Sequence, residues 1–215
     1  MLAGRIEPSQ RLQPQVESDL AVAAPPDEID AARAREYGLL AALLVRTPDR
    51  QLLEGIANLK VDASPIGLAH ASLAEAARFA RPEAVEREFF DLFIGIGRGE
   101  VMPYGSYYLT GFLYERPLAR LRADLAELGI TRAEGNCEPE DHIATLCEVM
   151  AGLAHGTFPA PPGSDETIFK RHVEPWAARF FADLERAQAA QFYRSVALLG
   201  RVFIDIESEA YALPA

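Results

Sequence analysis

The sequence predicts an all-α fold, a single globular domain of roughly eight to ten packed helices. Apolar residues recur at three- and four-residue spacing along almost every stretch from Asp27 onward, and no stretch sustains the alternation of a half-buried strand. Helix-start signals stand ahead of these runs at Asp27, Ser64-Pro65, Pro82, Pro117, Glu138-Pro139 and Pro175. The 215 residues are 49% hydrophobic, enough for one sizeable core.

Residues 1–26 carry Pro8, Pro14, Pro25 and Pro26, scattered charge and no apolar period, and read as a disordered tail. The helical domain spans 27–215. Asp27 caps a first helix to about Val45, with Ile29, Ala32, Tyr37, Leu40, Ala41 and Leu44 on its inner face. Thr47-Pro48-Asp49 breaks it, and Leu52, Leu53, Ile56 and Leu59 mark a short second helix. Ser64 caps a third, with Pro65 at its first helical position and Leu68, Leu73 and Ala77 inward. Pro82 opens a fourth to about Ile94, whose apolar stripe is Val85, Phe89, Leu92, Phe93 and Ile96. A glycine-rich loop from Gly95 to Gly105 follows. It lacks the Lys-Ser/Thr pair of a P-loop and no strand leads into it, so it is not read as a phosphate cradle.

A short helix then carries Tyr107, Tyr108, Phe112 and Leu113, and Pro117 restarts the chain with Leu118, Leu121, Leu125 and Leu128 inward, ended by Gly129. Glu138-Pro139-Glu140-Asp141-His142 reads as the acidic mouth of a helix to about His155: proline suits a first turn, and the carboxylates suit the positive end of the helix dipole. Three prolines between Phe158 and Gly163 make a loop. Ser164 and Pro175-Trp176 start two further helices, and the last runs from about Ala189 to Ala210.

The net charge of −11 argues against a nucleic-acid partner, whose phosphates it would repel, and favours a cationic one. No run approaches the roughly 20 apolar residues of a membrane span, and no basic patch leads into an apolar stretch near Met1; a soluble, cytoplasmic protein is expected. Cys137 and Cys147 make neither a disulfide framework nor a zinc set. None of His70, His142, His155 and His172 stands three or four residues from another, so no metal or other cofactor is expected. Asp141 and His142 are adjacent and point about 100° apart on a helix, so they are no catalytic dyad by themselves. An enzyme using His142 as general base, or a scaffold that binds a partner helix in an aromatic groove, remain the alternatives to the reading below.

Phe89-x-x-Leu92-Phe93-x-Gly95-x-Gly97, then Pro103-x-x-Ser106-x-Tyr108, then Glu138-Pro139-x-Asp141-His142 resemble the signature of the TorD/DmsD/NarJ family. Phe169-x-x-His172-x-x-x-Trp176-x-x-x-Phe180 is similar to that family's C-terminal pattern. The resemblance covers about Asp27 to Ala210. It implies an all-helical cytoplasmic chaperone, not an enzyme, that binds the twin-arginine signal peptide and the body of an apo-molybdoenzyme, a formate dehydrogenase or another molybdopterin oxidoreductase, until the cofactor is inserted and before export. It implies either a monomer or a domain-swapped homodimer. Carried over, the peptide surface is Phe89, Leu92, Phe93, Pro103, Ser106, Tyr108, Asp141 and His142. Phe89 departs from relatives that have Trp there. Arginine pairs best with carboxylates, so Glu138, Glu140 and Asp141 are expected to read the leader's arginines.

Overall fold

The computed structural model describes residues 12–14, 26–132 and 137–213. Among them ten α-helices pack around one core. They are α1 (Glu28–Val45), α2 (Arg50–Ala57), α3 (Pro65–Phe79), α4 (Pro82–Phe89), α5 (Gly105–Thr110), α6 (Arg116–Glu127), α7 (Ile143–His155), α8 (Ser164–Ile168), α9 (Ala177–Arg186) and α10 (Phe192–Ala212). Two π-helical turns, Phe90–Ile94 and Phe169–Val173, continue α4 and α8.

Local chemistry accounts for many of the starts. Asp27, Asp49 and Ser64 each accept a backbone N–H with the side chain at the head of α1, α2 and α3. Pro65, Pro82 and Pro117 stand in first turns, where a missing N–H costs nothing. Gly129 stands just past α6 with φ 66°, the left-handed conformation a side chain would disfavour.

The helices pair as α1 on α7, α10 on both α9 and α3, and α2 on α3. Their shared core includes Tyr37, Leu40, Phe169, Trp176, Phe180, Phe181, Tyr193 and Phe203. Gly200 lets α10 approach α9 closely, since a Cβ there would stand 2.1 Å from the Phe181 ring.

Several expectations are corrected. Ile29 is 72% exposed, and Leu68 also faces solvent. Ile96 leaves the stripe of the fourth helix and is 100% exposed, because the π turn and the loop carry the chain out of helical register. Ser164 does not cap α8: Gly163 holds the N-cap position, and the Ser164 hydroxyl donates to the Pro161 carbonyl. Two three-residue strands, too short for a visible period, pair antiparallel: Leu12–Pro14 with Ile130–Arg132. The rest of the tail expected over 1–26 lies outside the described residues, Pro26 excepted.

Candidate functional site

The site begins with a short helix that lacks a cap of its own. Tyr104, the N-cap residue of α5, makes no side-chain cap bond, so the first N–H groups of α5 need acceptors from elsewhere. The 138–142 segment supplies them. The Asp141 carbonyl accepts the Gly105 N–H at 2.9 Å, and its Oδ2 accepts the Ser106 N–H at 2.7 Å. The Ile143 N–H donates to the Pro103 carbonyl at 2.9 Å, and Tyr104 and His142 form an antiparallel bridge. The Tyr104 hydroxyl donates to Glu138 Oε1 at 2.5 Å. Burial first, and then the Glu138 carboxylate, push the Tyr104 hydroxyl well above its ordinary range.

This pairing moves a helix boundary. Residues 138–142 are not the first turn of α7, because the bridge holds His142 extended at φ −66°, ψ 135°. The helix starts at Ile143, with His142 as N-cap and its Nδ1 accepting the Ala144 N–H at 3.1 Å. A ring nitrogen that accepts carries no proton, so Nδ1 is committed to the cap. Asp141 is 3% exposed. Glu140 is also buried and faces the chain's own arginines: Arg122 Nε donates to Oε2 at 2.8 Å, and Arg132 Nε lies 3.9 Å from Oε1.

The aromatic residues of the first segment divide into floor and surface. Phe89 and Leu92 are buried, and Phe93 is half-buried. Phe89 and Phe93 meet edge to face at 5.0 Å, and Phe93 meets Tyr193 at 5.4 Å. Pro103, just before α5, and Ser106, in its first turn, are buried. Tyr108 stacks on Trp176 at 5.5 Å and donates its hydroxyl to Asp183 at 3.0 Å. Burial and then Asp183 raise that hydroxyl far above its ordinary range. A small cavity of about 210 Å³ opens beside it, lined by Arg98, Glu100, Met102, Tyr107, Tyr108 and Asp183 among others.

The glycine loop folds back tightly. Gly95 takes φ 60° and donates to the Phe90 carbonyl at 2.7 Å, closing the π turn. A Cβ at Gly99 would stand 2.5 Å from the Leu92 carbonyl oxygen, while Val101 N–H donates to that same carbonyl at 2.8 Å. Phe90 and Ile94 in the π turn and Ile96 in the loop are left exposed, as are Leu109 in the last turn of α5 and Phe112 and Tyr114 beyond it. Phe90, Phe112 and Tyr114 belong to the aromatic run that marks a candidate groove in the sequence, but none of the six is among the residues carried over from the family. A π turn has no sequence signature that would have redirected Phe90 and Ile94 outward.

Among the described residues no group of three His, Cys, Asp or Glu side chains comes together to hold a metal ion. No described helix is long and apolar enough to cross a membrane.

The model of the nitrate reductase delta subunit family matches residues 60–182, a span that contains both segments of the site. The chain belongs to that family. Among similar proteins, chaperone protein TorD of Shewanella loihica is 23% identical over 202 residues, covering 83% of this chain and 92% of its own. Chaperone protein YcdY of Escherichia coli is 31% identical over 117 residues, 54% of this chain and 59% of its own. The probable Tat proofreading chaperone DmsD of Haemophilus influenzae is 29% identical over 117 residues, 54% of this chain and 56% of its own. The chain therefore matches little more than half the length of YcdY and DmsD, and nearly the whole of TorD. A crystal structure of a putative redox enzyme maturation protein from Archaeoglobus fulgidus has the same fold, with a TM-score of 0.52 at 22% identity over 81% of this chain and 93% of that one. The TorD/NarJ resemblance of the motifs is thus matched at the level of the family, and this member is a chaperone rather than an enzyme.

Proposed function

We propose that this chaperone binds the twin-arginine leader and the apo-form of a molybdopterin oxidoreductase, such as a formate dehydrogenase, in the cytoplasm before export, and holds it for cofactor insertion. The observation that carries the reading is the joining of two sequence-distant segments, 89–108 and 138–142, beside exposed Phe90, Ile94, Ile96, Leu109, Phe112 and Tyr114. A leader has a cationic part and an apolar part. The exposed side chains suit the apolar part, and a net charge of −11 draws the cationic part in. The names of the DmsD and Archaeoglobus relatives support the same client class.

In this reading Phe89, Leu92 and Phe93 form the floor, Pro103, Ser106 and Tyr108 set the α5 wall, and Glu138, Glu140, Asp141 and His142 stand behind it. A flexible leader is ordered on binding, which keeps affinity modest. The expected dissociation constant is on the order of micromolar, about −8 kcal/mol, as release demands. Calorimetric titration with a synthetic leader, an Arg-Arg pair followed by an apolar run, tests this. Saturable binding that weakens when the apolar run is made polar, and again as salt rises, is expected. No binding at about tenfold the expected constant would remove the reading.

A further inference from the structure

We propose that Asp141 is a positioning residue for the leader surface: it holds α5 in place and does not touch the client. The proposal rests on the leader-binding reading above. Asp141 is 3% exposed, and both its backbone carbonyl and its Oδ2 are spent on the first two N–H groups of α5. Its second oxygen, Oδ1, is buried with no partner among the described residues. A leader guanidinium reaches it only if α5 or the 138–142 segment moves away.

What Asp141 holds is narrow and well defined. α5 has only six residues, too few to be stable without outside acceptors. Its first residue lies against the indole of Trp176, since a Cβ at Gly105 would stand 3.0 Å from Trp176 Nε1. Three residues on, Tyr108 stacks on the same indole. The helix is thus pinned between a carboxylate at its head and an aromatic plane at its flank. Its last turn carries the exposed Leu109 and leads to the exposed Phe112 and Tyr114. Loosening the head displaces the apolar edge that the leader would meet.

Trp176 is the one tryptophan of the chain, so its fluorescence reports where α5 sits. Wild type, Asp141→Ala and Asp141→Asn are compared by Trp176 emission, by amide exchange at Ser106, Tyr107 and Tyr108, and by titration of the synthetic leader at low and high salt. Asparagine caps a helix about as well as aspartate but carries no charge. Asp141→Ala is expected to shift the emission, speed exchange in α5 and weaken leader binding about fivefold or more. Asp141→Asn is expected to recover most of the emission and exchange and to weaken binding less than Asp141→Ala. All three proteins should show the same dependence of binding on salt.

The opposite pattern overturns the proposal: unchanged emission and exchange in both variants, with Asp141→Asn losing as much affinity as Asp141→Ala and a shallower salt dependence. That pattern makes Asp141 a direct reader of the leader's charge. If Asp141→Ala does not fold, Asp141→Asn decides alone by its emission and salt dependence. A wild type that binds no leader sinks the functional reading, while the emission and exchange of the free proteins still decide whether Asp141 holds α5.

Discussion

The Glu88 carboxylate accepts the Tyr193 N–H at 2.7 Å from 105 residues away in sequence. The same carboxylate accepts the N–H groups of Gln191 at 2.7 Å and Phe192 at 3.1 Å. Helix α10, the longest among the described residues, has Gln191 as its N-cap residue and no side-chain cap of its own. Glu88 caps it from α4, and Glu100, within the glycine loop just after Gly99, accepts the Gln188 and Ala189 N–H groups just before it. The π turn and loop that present Phe90, Ile94 and Ile96 are therefore fastened on both sides of these residues to the start of α10.

Glu88→Ala removes a buried acceptor shared by three donors. The cost of charged hydrogen bonds and of stranded buried N–H groups puts the loss at about 2–4 kcal/mol of unfolding free energy. Glu88→Gln keeps an acceptor without the charge and should lose about half as much. Urea denaturation of the three proteins measures this. A loss below about 0.5 kcal/mol for the alanine variant would mean that water replaces the carboxylate freely.

Arg33 is tied to four partners on two other helices and its own. Its Nε donates to Glu207 Oε1 at 2.9 Å, and its other nitrogens reach Asp30, Asp165 and the Tyr211 hydroxyl. Glu207 is 2% exposed and also accepts the Tyr37 hydroxyl at 2.9 Å. Removing the arginine leaves a carboxylate buried and underpaired. Arg33→Ala should cost about 3–5 kcal/mol, with much of it recovered by adding Glu207→Gln, which removes the stranded charge. Melting temperatures and denaturant midpoints of the single and double variants check this; strict additivity of the two losses would contradict it.

His70 adds a pH-dependent contribution. Its Nε2 lies 3.0 Å from Glu36, and that hydrogen bond first, opposed by burial and helped by the charges of Glu36 and Asp62, raises its pKa above the ordinary value. A raised histidine stabilises the fold fully below its unfolded value of about 6.5, and the contribution fades as pH rises through the raised value. The melting temperature of wild type should therefore exceed that of His70→Gln by more at about pH 5.5 than at about pH 9. A difference that grows with rising pH would reverse the sign and refute the pairing.

Much of the fold was legible because its determinants are local. The spacing of Tyr37, Leu40, Ala41 and Leu44 places one face of α1 in the core. Asp27 and Ser64 cap the helices that follow them, and Gly129 ends α6. Each of these depends on residues within four positions, so sequence alone suffices. The family was legible too, and the segments that carry the motifs, up to Phe180, lie within the residues 60–182 that its model matches.

By itself the sequence determined the all-α class, most helix limits and the family. Only the tertiary structure decided what the motif residues do to one another. Asp141 caps α5 rather than its own helix, because a bridge to Tyr104 keeps residues 138–142 out of α7. Glu140 faces Arg122 and Arg132. Ile96 stands in solvent while Leu92 is buried, because a π turn rotates the chain between them. These outcomes depend on which orphan N–H group finds which distant carboxylate. That choice is made by packing across 35 to 105 residues of chain, beyond the reach of any local period.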